Sequence, residues 1–164
     1  EQTILRALPV PAAEELVNIR SNGPRSGSNS TNNAGDIEHV YSYPMFRDLE
    51  RVQTPLSGLA AHRSFGANLA FRGQSSSAGG IFVSGSYFPV LGLNPVLGRL
   101  FTPDDDRTPG AHRIAVLGHA YWTEKCNRDP GVLNQVLHVN AVPLTIIGVA
   151  PEDFRGTTLG SIPD

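Results

Sequence analysis

Apolar positions along this chain come in short bursts of two different periods, separated by glycine, proline and small polar residues. Met45, Phe46, Leu49 and Val52 recur at helical spacing, while Arg47, Asp48, Glu50 and Arg51 fall on the opposite side. Ser42 precedes Tyr43 and Pro44, a cap followed by a first-turn proline, and Pro55 stops the segment. The pattern predicts an amphipathic helix opening at Tyr43. Period two dominates elsewhere. Residues 16–20, 56–61 and 67–72 read as strands, and Gly73-Gln74 reads as a turn into a further strand over 78–84. A strand, a helix and an antiparallel meander are thus expected in the first half. Residues 2–8 read as the end of a helix terminated by Pro9 and Pro11.

The second half has a different texture. Ser86 is placed to cap a short helix from Tyr87 to Leu91, with Gly92 as its stop. A short buried strand is expected over 113–117, then a helix over 119–127 carrying Tyr121, Trp122 and Lys125. Asp129-Pro130 is a second cap-plus-proline start. Residues 135–139 and 144–149 form a hairpin around Asn140, Ala141, Val142 and Pro143, and Pro151 ends it. Trp122, the lone tryptophan, is expected to plug the core against Ile114 and Ile146.

Residues 21–35 are almost entirely small and polar, which predicts a mobile loop with no apolar anchor. Asn29-Ser30-Thr31 within it matches a glycosylation acceptor only formally. The chain has 164 residues, one domain or two small lobes, and its 17 glycines and 13 prolines favour short elements over a helical bundle. A net charge of −2 gives no electrostatic footprint for nucleic acid. No apolar run is long enough to span a bilayer. The first residue is not Met and no leader precedes the first elements, so an excised segment with its anchors elsewhere is expected.

Candidate chemistry is sparse. Asp104, Asp105 and Asp106 group three carboxylates, but between Pro103 and Arg107 they read as a solvated acidic turn without calcium-loop spacing. His39, His62, His112, His119 and His138 are scattered and form no metal-ligand pattern. Ser75, Ser76 and Ser77 read as a flexible hairpin tip, with no nucleophile elbow around them. Cys126 reads as a small buried hydrophobe. No phosphate-binding loop is present. No catalytic, cofactor-binding or metal-ligating residue is assigned, and no cofactor is expected.

A V-S-G-x-Y-F segment stands at Val83-Ser84-Gly85-Ser86-Tyr87-Phe88, a leucine-glycine stop at Leu91-Gly92, and a Gly-Arg-x-Phe stretch at Gly98-Arg99-Leu100-Phe101. Ile114 to Leu117 and Tyr121-Trp122 follow, and then the stretch from Asn140 to Pro151, NAVPLTIIGVAP. In this order the segments resemble the periplasmic core domain of MacB-type ABC transporter permeases (the MacB-like/FtsX-like permease family), most of all the subclass found in soil bacteria. The last stretch resembles that family's N-G-x-P-x-x-V-I-G-V-A-P element. Three positions depart. Cys126 replaces a usual large aromatic. Asn134 replaces a usual glycine, although asparagine tolerates a left-handed turn. Ala141 replaces the turn glycine, so a loop longer than two residues is expected there.

The resemblance implies an α+β fold in two lobes. Residues 1–84 would supply the first half of a porter-like lobe containing the mobile loop 21–35. Residues 85–164 would form a smaller inserted lobe built on the hairpin 135–149. It also implies that the domain continues past Asp164 to complete the first lobe. The implied function is non-enzymatic: an extracytoplasmic domain of an ABC transporter permease that passes ATP-driven transmembrane motion to a periplasmic substrate or partner, in efflux or in lipoprotein and envelope transport. Implied partners are a cytoplasmic ATPase subunit or domain, a periplasmic adaptor protein and a second permease copy in a homodimer, with no nucleic acid. The implied location is the periplasmic face of the bacterial inner membrane. A free-standing periplasmic ligand-binding or sensor module is the alternative. It requires a concave pocket with convergent polar groups.

Overall fold

The structure, a computed structural model, describes residues 9–20, 41–108 and 110–157. The expectations for residues 2–8 and 21–35, including Asn29, and for His39 lie outside the described residues. Two hairpins build the body. Strands β1 (His62–Phe71) and β2 (Gln74–Val83) pair antiparallel without interruption from His62 opposite Val83 to Phe71 opposite Gln74. Arg72 and Gly73 turn the chain with φ of 50° and 77°, the paired positive values that match the twist of a two-residue hairpin. The turn therefore sits one residue earlier than expected. Both strands also run further, and Ser75, Ser76 and Ser77 belong to the ladder instead of a loose tip.

After β2 come the helix α2 (Tyr87–Leu91) and the two-residue strand β3 (Leu97–Gly98). Strand β4 (Ile114–Leu117) and helix α3 (His119–Cys126) follow, close to their expected spans. The second hairpin joins β5 (Val136–Val139) to β6 (Val142–Val149). Asn140 and Ala141 make its turn alone, at φ 49° and 67°, so the longer loop expected there does not form. The reason lies in the neighbouring strand. Asn140 N donates to Asn68 O, and Asn140 Oδ1 accepts from Asn68 N, both at 2.9 Å. These bonds to β1 hold a conformation that glycine would adopt without help.

The six strands among the described residues share one sheet in the order β2-β1-β5-β6-β3, with β4 parallel to β6 on its other side. The remaining pairs are antiparallel, giving an open α+β architecture. Pairing of β1 with β5 at Leu69–Val139 and Ala70–His138 carries the sheet across residues 84 and 85, where the two halves were expected to divide. Two apolar cores flank it. The larger sets α3 on the sheet through Tyr121, Trp122 and Cys126 against Leu69, Leu137 and Ile146. The smaller gathers Tyr87, Phe88 and Leu91 of α2 with Leu100, Ala150 and Phe154. Trp122 shares its core with Ile146 as expected, and its indole N–H donates to Asp129 O at 2.9 Å. Ile114 is only half-buried and stands outside that core.

Other expectations are corrected. Residues 16–20 form no strand, and Leu16 and Val17 stay exposed. Residues 56–61 form none either; Leu59 O and Ala61 N bond instead to the side chains of Ser86 and Ser84, as described below. Asp129 does cap through Gly131 N at 2.8 Å, but it opens only the single 3-10 turn Pro130–Val132. Asn134 takes the left-handed conformation foreseen for it, at φ 64°.

Helix α1 (Tyr43–Val52) forms as read, with Ser42 Oγ accepting from Met45 N. Its apolar face is narrower than its sequence suggests. Phe46 is buried and Leu49 half-buried, while Met45 is 47 % and Val52 69 % exposed.

Candidate functional site

The densest polar convergence lies where β2 runs into α2, at residues 84–87. Ser84 is 3 % exposed, one of two buried polar residues among those described. Its amide donates to Ala61 O at 2.9 Å and its Oγ accepts from Ala61 N at 3.0 Å. The Ser86 hydroxyl lies 2.9 Å from Ser84 Oγ and donates to Leu59 O at 2.6 Å. Ser86 is thus not the side-chain cap of α2 that its position suggested. The two serines instead pin the irregular stretch before β1, giving partners to the half-buried backbone of Leu59 and Ala61. Gly92 ends α2 at φ 65°, as expected.

Gly85 has no room for a side chain. A Cβ there would lie 2.5 Å from Thr102 O and 2.8 Å from Asp106 Cβ. That contact brings the acidic turn Pro103–Asp106 against the start of α2. Asp106 uses both oxygens: Oδ2 accepts from Gly85 N at 3.0 Å, and Oδ1 accepts from Tyr43 OH of α1 at 2.7 Å. Burial, then the hydrogen bond to Asp106, pushes the Tyr43 phenol up to about 12. Asp105 closes a capping box with Thr102 and takes a two-pronged contact from Arg99, at 2.6 and 2.8 Å. That guanidinium, more than any other neighbour, holds the Asp105 carboxyl down at about 2. Asp104 pairs with Arg107 at the exposed surface. The three aspartates are therefore a turn, as read, with two of them bonded into the fold. Tyr87 OH meets Thr157 Oγ1 at 3.0 Å, and burial raises its phenol.

Of the other candidate residues, His138 and Ser75, Ser76 and Ser77 border one concavity, and the rest stand apart. Among the described residues no group of three or more His, Cys, Asp or Glu side chains could hold a metal ion. Burial lowers the His62 imidazole and raises the Cys126 thiol. His138 borders a shallow concavity of about 570 Å³ with Asn68, Ser75 and Ser77. His119, 8 % exposed, lines a smaller cleft of about 280 Å³ together with Glu124, Arg128, Glu152 and Arg155. His112 is exposed. The junction through Ser84, Gly85, Asp106 and Tyr43 was not read from the sequence. Its one local signal was Thr102 three residues before Asp105, a capping-box spacing that predicts a tight turn but not its partners.

Comparison with solved structures identifies two similar folds. One is the periplasmic region of MacB from Actinobacillus actinomycetemcomitans, at 21% identity and TM-score 0.59, with 77% of this chain and 58% of that chain covered. The other is the extracellular domain of the noncanonic ABC-type transporter YknZ from Gram-positive bacteria, at 16% identity and TM-score 0.59, with 70% and 59% covered. This chain thus spans less than two thirds of either. No curated protein matches it in sequence. No helix among the described residues is long and apolar enough to cross a membrane. Residues 3–164 match the MacB-like periplasmic core domain, and the chain belongs to that family.

Proposed function

We propose that this chain is the extracytoplasmic domain of an ABC transporter permease and that its work is mechanical. A cytoplasmic ATPase, acting through membrane helices, displaces the domain. The domain passes that displacement to a periplasmic substrate or adaptor protein, within a homodimer of the whole permease. Family membership over residues 3–164 is the observation that carries this reading. The junction at residues 84–87 supports it: one carboxylate, Asp106, links α1 to the β2–α2 turn, so force on one element reaches the other through short hydrogen bonds. Coupling of this kind needs packed bodies that move as units rather than reactive side chains.

The test uses the full-length protein in its own membrane. Gln74→Cys places a thiol at the exposed end of the first hairpin. A membrane-impermeant thiol reagent added to spheroplasts should label that site, and the purified permease should retain an ATPase. Labelling only after lysis, or recovery of a processed protein free of membrane and ATPase, would overturn the proposal. The second of those results is the outcome expected of a free-standing sensor module.

A further inference from the structure

Helix α1 is joined to the other described residues by very little. Among the described residues its single buried side chain is Phe46. Its ion pairs, Arg47–Glu50 and Arg51–Asp48, lie within the helix and brace nothing else. Among the described residues, Tyr43 is the α1 side chain that hydrogen-bonds another element, through Asp106 Oδ1 at 2.7 Å. After α1, residues 53–61 have no regular structure until Ala61 meets Ser84. The acceptor is itself fixed, because Asp106 Oδ2 is held by Gly85 N at 3.0 Å and the 3-10 turn abuts Gly85. A nearly detached helix thus hangs on a rigid anchor.

We propose that the Tyr43–Asp106 hydrogen bond is a latch, and that its opening releases α1 as a unit while the six-stranded sheet stays closed. A helix with one buried ring belongs at the low-stability end of a fold, where local opening precedes global unfolding. A hydrogen bond to a carboxylate is strong enough to set that opening equilibrium. The inference rests on this geometry alone and stands or falls independently of the transport reading.

Amide hydrogen exchange on this chain tests it. The reporters are amides within α1, from Phe46 N bonded to Ser42 O through Gln53 N bonded to Leu49 O. Tyr43→Phe removes the hydroxyl and keeps the ring. These amides should then exchange roughly five- to tenfold faster, the change expected from one lost hydrogen bond to a charged acceptor at a half-exposed site. Amides of β1, β5 and β6 should be unchanged. Asp106→Asn, which keeps an acceptor for Gly85, should give the same pattern at smaller size. The latch is wrong if Tyr43→Phe leaves α1 exchange within twofold of the parent. Equal acceleration in α1 and the sheet would also overturn it, since that is a general loss of stability.

Discussion

Ala141 occupies a left-handed conformation at φ 67° that carries a steric cost for any residue with a Cβ. Ala141→Gly should relieve that strain, less the entropy that glycine adds to the unfolded chain, for a net gain of about 0.5–1 kcal/mol. A rise of about 1–3 °C in Tm by calorimetry would match that gain in a chain this size. The sequence singled out this position, but assigned it to a longer loop. What it could not show is that Asn68, 72 residues away, would hold Asn140 in the turn. Asp105 supports a second expectation. Its carboxyl is held at about 2 against an ordinary 3.8, chiefly by Arg99, so the folded state favours the charged form. That stabilisation is fully present above the unfolded value and is lost as pH falls toward the folded one. Urea midpoints of the parent should therefore fall more steeply than those of Asp105→Asn between about pH 4 and pH 2. Parallel pH profiles would show that the Arg99 contact adds nothing to the fold.

At the level of elements, α2, α3, β4 and the second hairpin were legible because caps, stops and apolar bursts are local. Gly92 and Asn127 end their helices in left-handed conformations that each residue type favours. Residues 16–20 alternate as a strand should, yet alternation says only that one face could be buried, and Leu16 and Val17 stay exposed. The stretch at 56–61 shows another limit: Leu59 and Ala61 bond to Ser84 and Ser86, which no periodicity reveals. The crossing of β3 and β6 shows the same limit. Gly98 and Gly148 face each other, and a methyl at Gly148 would collide with the Arg99 carbonyl oxygen. Gly148→Ala is expected to cost more than about 3 kcal/mol, because backbone rather than a flexible side chain must move. Denaturant unfolding should show a large drop in midpoint or no folded protein. A near-parental midpoint would mean that β3 is free to detach.

At the scale of the molecule, the α+β class and the family were legible from the order of short motifs. Sheet order was not, since the pairing of β1 with β5 joins residues about 70 apart and leaves no local signature. Nor was the role of the V-S-G-x-Y-F segment, whose buried serine, side-chain-free glycine and two core aromatics assemble the junction. In the function proposed above, this domain moves when a distant ATPase binds nucleotide. A distance measurement on the full permease in lipid reads that motion. The native cysteines of the permease, the buried Cys126 among them, are replaced by Ala, and in the proposed homodimer Gln74→Cys carries a spin label on each copy. The label-to-label distance distribution should shift between the nucleotide-free and ATP-bound states, and Tyr43→Phe or Asp106→Asn should alter the shift without abolishing ATP hydrolysis. A single distribution that is unchanged by nucleotide, in a permease that hydrolyses ATP, would contradict it.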